Sequence, residues 1–164
     1  WFKPQDLIQD HETGQGKAFP TFAYGCIVAE VEVDMKTGYV DVLEVTASHD
    51  VGTAINPALV KGQIYGGIVM GQGFAVTEDV VTGKRGQKTK NFDSYILPTS
   101  MDAPKMNINI YENQDPAGTY GAKSIGEPAT EGVGAAIANA IFNGRRIYEN
   151  PADLETVLLG HKLQ

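Results

Sequence analysis

Apolar positions along the chain follow two different periods, and the changes between them mark out the elements. From Tyr24 the pattern first alternates, with Val31, Val33 and Met35 interleaved with Glu30, Glu32 and Asp34, then runs more continuously apolar through Val40, Val42, Leu43 and Val45. Lys36-Thr37-Gly38 separates the two runs and offers a glycine where a hairpin turn needs a positive φ. The pattern predicts a β-hairpin over 24–51. Cys26, among Ala23, Tyr24, Ile27 and Val28, reads as a buried and inert thiol. The second strand ends in His49-Asp50-Val51-Gly52, a pair that reads as a strand-end cap tying down the next turn, with a catalytic pair as the alternative.

Asn56-Pro57 opens a helix, with a capping side chain followed by proline in the first turn. Leu59, Val60, Ile64, Ile68 and Val69 carry the helical period to about Val76. Gly62, Gly66, Gly67, Gly71 and Gly73 within it cost about 1 kcal/mol each relative to Ala, which tertiary packing has to offset. Small residues at these spacings let another backbone, or a flat cofactor, lie close. A phosphate-binding glycine loop is the rival reading, but the Gly-Lys-Ser/Thr ending is absent. Gln63 and Gln72 offer amides that suit either neighbouring backbone or the polar edge of a ligand.

The basic, glycine-punctuated run 80–90 reads as a solvated excursion, with docking of a partner subunit or anionic substrate as its alternative. Tyr95-Ile96-Leu97-Pro98-Thr99 follows as an irregular connector. Met106, Ile108 and Ile110 alternate with Asn107, Asn109 and Tyr111, which predicts a half-buried strand over 104–112. A helix over 128–143 is expected to bury Val133, Ala136, Ile137, Ala140 and Ile141 and to stop at Asn143-Gly144. Asn150-Pro151 is expected to start a last short helix, with Leu154, Val157 and Leu158 apolar, closing at Gly160 before a solvated His161. Residues 1–23 show no sustained period and read as an extended lead-in to a unit over 24–164; His11-Glu12 lacks the second histidine of a zinc motif. The sum is an α+β architecture of a hairpin and further strands packed with a Gly-rich helix and an Ala-rich C-terminal helix.

A chain of 164 residues suits one domain or one lobe of something larger. Thirteen basic against 20 acidic residues give a net charge of −7, which argues against nucleic acid and anionic membrane surfaces as general partners. No apolar run approaches the length of a membrane span. Trp1-Phe2-Lys3-Pro4 has neither an initiator Met nor a signal core, so the chain reads as a piece of a longer polypeptide or a processed one. A single cysteine excludes an internal disulfide and a cysteine-ligated metal centre, and a cytoplasmic location is the expectation.

The candidate chemistry centres on Gly121-Ala122-Lys123-Ser124-Ile125-Gly126-Glu127-Pro128-Ala129. Gly121 and Gly126 permit unusual backbone angles and close ligand approach, and Pro128 suits a first helical position. Free N–H groups at a helix entrance favour an anion. Two readings of Glu127 stay open from the residues alone: a general base beside a bound ligand, or a first-turn carboxylate that complements the helix dipole.

His49-Asp50-Val51-Gly52-Thr53-Ala54-Ile55-Asn56-Pro57, Val60-Lys61-Gly62-Gln63-Ile64-Tyr65-Gly66-Gly67 and Met70-Gly71-Gln72-Gly73 keep company with that segment. So do Tyr95-Ile96-Leu97-Pro98-Thr99, Asp102-Ala103-Pro104 and Ala135-Ala136-Ile137-Ala138-Asn139-Ala140-Ile141. In these blocks and their order the chain resembles the C-terminal part of the molybdenum-binding subunit of the molybdenum hydroxylases, the family of xanthine dehydrogenase and aldehyde oxidoreductase. The resemblance implies a molybdenum–pterin cofactor, as molybdopterin or its cytosine dinucleotide form, with iron–sulfur clusters and sometimes FAD on partner domains or subunits. It implies that Glu127 deprotonates a metal-bound hydroxide that attacks an electron-poor carbon of a purine, N-heterocycle or aldehyde, with water as the oxygen source. It singles out Gln63 as a cofactor contact, and by the anion-binding logic of a helix entrance the main-chain amides of Ala122, Lys123, Ser124, Ile125 and Gly126 would hold the cofactor's pterin or phosphate side. It gives His49-Asp50 a structural role, and it implies that the N-terminal remainder of the subunit, an iron–sulfur subunit and in some members a flavin subunit complete the enzyme. Ala129 stands where many members have a second proline, and Ser124 where glycine or alanine is usual; neither removes the base. Two other classes stay open, a non-catalytic assembly module of a redox complex and a molybdenum-independent enzyme using Glu127 for simple proton transfer.

Overall fold

The computed structural model describes residues 2–3, 8–141 and 146–160. Two short strands, β1 (Ile8–Gln9) and β2 (Gly16–Lys17), form a small hairpin in the lead-in. The expected main hairpin follows as β3 (Gly25–Val33) and β4 (Val40–Asp50), antiparallel from Gly25↔His49 to Val33↔Val40. Its register shifts between Glu30↔Glu44 and Val31↔Val42, leaving Leu43 as an extra residue. That bulge explains the continuous apolar run. Val40 and Val42 face the core before it and Val45, Ala47 and His49 after it, so the strand keeps one buried face through a change of phase. Gly38 has φ +80, and a Cβ there would also collide with the Leu154 carbonyl oxygen.

The alternation corrects one expectation. In β3 the inward positions are Ile27, Ala29, Val31 and Val33, so Cys26 and Val28 point outward and the thiol is exposed. Neighbouring apolar residues do not bury a side chain that the pleat turns away from the core.

Helix α1 (Pro57–Val76) runs over the expected span, with the Asn56 side chain accepting from the Leu59 N–H. It leads through a second small hairpin, β5 (Thr82–Gly83) with β6 (Gly86–Gln87), to strand β7 (Lys105–Tyr111). β7 pairs parallel with β4, Glu44↔Lys105 to Asp50↔Tyr111, giving a three-stranded sheet in the order β3-β4-β7. The α+β reading therefore holds, with one β-α-β crossover inside the sheet. Outward-facing Asn107 and Asn109 bond across to Glu44, Thr46 and Ser48, while Met106, Ile108 and Ile110 pack inward.

The helix expected over 128–143 is broken. Two pieces form, α2 (Pro128–Glu131) and α3 (Val133–Ala140), joined at Gly132. A Cβ on Gly132 would sit 3.1 Å from Ile27 Cδ1 of β3, so glycine lets the helices close on the sheet where it also weakens the helix. Val133, Ile137 and Ile141 are fully buried, whereas Ala136 and Ala140 are half-buried. The Asn143-Gly144 stop and His161 lie outside the described residues.

α1 meets these helices through glycines. A Cβ on Gly67 would lie 2.7 Å from Ala129 Cβ, and one on Gly71 2.5 Å from Val133 Cβ. Those positions need glycine for close helix packing. Gly62 and Gly66 face open space. The last helix, α4 (Leu154–Leu159), starts later than expected: the Asn150-Pro151 peptide is cis, and the cap is Asp153, which accepts from Thr156 N–H. It closes at Gly160 with φ +82, as the residues predict, but of its apolar positions only Val157 is buried, with Leu154 and Leu158 exposed. Among the described residues, no helix is long and apolar enough to cross a membrane.

Candidate functional site

The Gly121–Pro128 segment is stapled to the end of β4 before it is released. The chain enters it through Tyr120 (φ +53) and Gly121 (φ +79), two successive left-handed residues of which only Gly121 adopts this backbone without cost. Gly121 O accepts from Thr53 N–H at 2.9 Å and from Asp115 N–H at 3.0 Å, and Lys123 N–H donates to Val51 O at 2.9 Å. Val51 N–H in turn donates to Tyr111 O at 3.0 Å, joining the segment to β7. Gly52, at φ +64, has room for no Cβ: one would collide with Gly121 O and lie 2.9 Å from Lys123 N.

Side chains reinforce this staple. Lys123 Nζ bonds Asp50 Oδ2 at 2.6 Å, with the two side chains 5% and 13% exposed. The ammonium also lies 5.6 Å from the centroid of the Tyr24 ring. Asp50 Oδ1 accepts from Gly52 N–H at 3.0 Å. Burial pushes the Asp50 carboxyl up, but the Lys123 hydrogen bond, the Gly52 N–H, the lysine charge and the Asn113 side chain together bring it below the usual carboxylate value. Asp50 thus ties down the turn as the residues suggest. His49 does not. It is 2% exposed on the core face, neither ring nitrogen has a partner among the described residues, and burial lowers its pKa.

Beyond Lys123 it is the main-chain N–H groups that are unbonded, while Gly126 O accepts from Ala129 N–H and Glu127 O from Thr130 N–H. Ala122 N–H donates to Thr119 O, and together with the Lys123 N–H it is consumed inside the chain. The N–H groups of Ser124, Ile125, Gly126 and Glu127 find no acceptor among the described residues. Gly126 has neither a positive φ nor any atom within 4 Å of a built Cβ, so nothing among the described residues requires glycine there. Ile125 packs against the core, and the next fixed point is fully buried Ala129 against Gly67. Glu127 lies between these anchors. It is exposed, helical in backbone, and its carboxylate caps nothing and pairs with no described residue. Behind it the helix is only four residues long before Gly132, which cuts short the dipole that the dipole-complementing reading requires.

Of the two glutamines, Gln72 is the buried one. Its Nε2 donates to Asp102 O at 2.8 Å, bracing the connector after residue 98. Gln63 is exposed on α1, one turn before Gly67, beside open Gly62 and Gly66. The Gly67–Ala129 contact thus sets Gln63 and Glu127 close to the same helix crossing. A cleft of about 450 Å³ bounded by Gly38, Gln72, Ile96, Met101 and Leu154 lies at the hairpin turn and does not include Glu127. Among the described residues, no group of three or more His, Cys, Asp or Glu side chains is placed to hold a metal ion. The Asp50–Lys123 pair is the feature that sequence reading missed, since only the Lys123 main chain was singled out.

An exposed, unpaired carboxylate behind a run of unbonded amides, on a loop fixed at both ends, is a ligand-facing arrangement on a mixed sheet. Comparison with known proteins gives the class a name. The molybdopterin cofactor-binding domain family matches residues 1–104. The xanthine dehydrogenase molybdenum-binding subunit of Escherichia coli O157:H7 is 36% identical over 121 residues, 73% of this chain and 16% of that protein. The aldehyde oxidoreductase of Megalodesulfovibrio gigas is 37% identical over 151 residues, 91% of this chain and 16% of that protein. A match that wide runs through Glu127. The structure of aldehyde oxidoreductase from Desulfovibrio gigas superposes with a TM-score of 0.83 at 36% identity, over 93% of this chain and 17% of that one. This chain therefore belongs to the molybdopterin cofactor-binding domain family. It spans about a sixth of the length of these relatives.

Proposed function

We propose that the chain is the C-terminal portion of the molybdenum-binding subunit of a molybdenum hydroxylase, and that Glu127 is its general base. The observation that carries this is the pairing, among the described residues, of an unpartnered Glu127 carboxylate with the unbonded N–H groups that precede it, at a glycine whose open face those residues leave unfilled. These residues fit a molybdenum–pterin cofactor. The amides of Ser124, Ile125 and Gly126 hold its polar edge, with Gln63 contributing from α1; Ala122 and Lys123 support the loop, since their amides are already bonded. The group supplies two-electron oxidation with water as the source of oxygen. Glu127 accepts a proton as the oxygen nucleophile is delivered to an electron-poor carbon of a purine, N-heterocycle or aldehyde, and the fixed loop keeps the carboxylate within reach of that oxygen.

The remainder of the subunit, lying outside this chain, completes the cofactor pocket and covers Glu127. An iron–sulfur subunit, and in some assemblies a flavin subunit, takes the electrons away. The matched relative that is itself a subunit supports an assembled complex. We place the complex in the cytoplasm.

The test is Glu127→Gln in the assembled enzyme purified from native cells. Turnover is expected to be abolished while molybdenum and pterin remain at wild-type content. Parallel loss of both would mark Glu127 as structural, and retained turnover would remove it from the reaction. A complete complex without molybdenum or pterin would overturn the hydroxylase reading itself.

A further inference from the structure

Among the described residues Glu127 has no side-chain partner to fix it, so its position is inherited from the loop that carries it. On the downstream side Ala129 is wedged against Gly67. Upstream, the last bonded N–H is that of Lys123, which donates to Val51 O, and the same residue carries the buried ion pair to Asp50. The ammonium is enclosed from several directions: Asp50 at 2.6 Å, the Tyr24 ring at 5.6 Å, and the Asp115 carboxyl, whose pKa its charge helps lower. Asp115 is itself held by the Thr21 hydroxyl and by the Ala117 N–H. Asp50 is positioned by its own N–H on Tyr24 O, at 2.8 Å, and by Gly52 N–H on its second oxygen.

A buried ammonium is costly unless its partner geometry is good, and well-packed apolar residues often stabilise a fold as well as such a pair does. What a charge pair adds is direction. Apolar contacts tolerate a slide of the loop by a fraction of an ångström along β4, whereas a short bond to one carboxylate oxygen does not.

We propose that Lys123 is a positioning residue. Its ammonium, clamped between Asp50 and the face of Tyr24, sets the register of the 121–126 loop on the end of β4 and thereby the place of the Glu127 carboxylate. This rests on Glu127 being the general base.

The experiment uses the assembled enzyme with Lys123→Met, which keeps the side-chain length and removes the charge, beside Asp50→Asn, Lys123→Arg and Glu127→Gln. Misplacement of a reacting group by about 1 Å costs on the order of 100-fold. Lys123→Met and Asp50→Asn are expected to lower kcat by about 10- to 100-fold on that scale, with KM, molybdenum and pterin at wild-type values. Lys123→Arg is expected to recover part of the loss, and the double variant Lys123→Met/Asp50→Asn to lose no more than the worse single. Wild-type kcat in Lys123→Met, with Glu127→Gln inactive, overturns the positioning role and leaves the base standing. Loss of cofactor in proportion to activity also overturns it, by making the pair a structural support. If Lys123→Met does not assemble, the double variant, which leaves no unpaired buried charge, carries the same two outcomes. Turnover in Glu127→Gln would show instead that the base assignment had failed.

Discussion

Gly52 and Gly126 sit on either side of the same loop, yet the structure predicts opposite consequences for replacing them with alanine. Gly52 has φ +64, and an added Cβ would collide with Gly121 O and lie 2.9 Å from Lys123 N. A left-handed backbone costs an L-residue roughly 1–2 kcal/mol. Forcing a methyl group into a closed contact adds about 1–3 kcal/mol. The sum, about 2–5 kcal/mol, falls on the staple between 50–53 and 121–123. Each 1.4 kcal/mol is a factor of ten, so local opening should become at least about 25-fold more frequent. Hydrogen exchange of the segment 111–127 in the assembled enzyme, followed by mass spectrometry, reads this directly. Gly126→Ala meets no atom of the described residues and needs no change of φ, so its exchange is expected to match wild type. Any loss there has to come from a group outside this chain, and the expected loss is in pterin content. Wild-type exchange in Gly52→Ala would refute the steric argument, and full cofactor content in Gly126→Ala would refute the placement of the pterin against that glycine.

Two other substitutions probe the fold. In His49 burial holds the imidazole below its usual pKa, so the folded state favours the neutral ring. The stability it contributes is complete above the ordinary value of about 6.5 and is lost as pH falls towards the folded value. His49→Leu should therefore flatten the decline of thermal stability below that pH, at little cost, because neither ring nitrogen has a partner among the described residues; parallel pH profiles would contradict this. Asn56→Ala removes the cap on Leu59 N–H and should cost about 1 kcal/mol, seen as faster exchange in the first turn of α1, where an unchanged rate would show that the cap is dispensable.

The elements legible in advance are those whose cause is local. The β3–β4 hairpin follows from alternation around Gly38, α1 from its Asn56-Pro57 start, β7 from the Met106-Ile108-Ile110 spacing, and the close of α4 from Gly160. The outward turn of Cys26 was legible too: counting back by two from Val33 and Val31 reaches Ala29 and Ile27 and leaves Cys26 on the other face. The phase of the alternation, and not the company of apolar neighbours, governs which side of a strand is buried.

The chain's own order of residues determined that a carboxylate, Glu127, would stand between a flexible glycine and a helix-starting proline, because backbone permission and helix initiation act over a few residues. Tertiary structure decided the rest of the site. It chose which glycines of α1 receive a neighbouring helix, Gly67 and Gly71, and which stay open, Gly62 and Gly66. It set Gly132, where the expected long helix divides, against Ile27 of the sheet. It brought Lys123 onto Asp50 across 73 positions of sequence. No local period reports such a contact, since it depends on where the sheet and the loop are carried by the packing of everything between them.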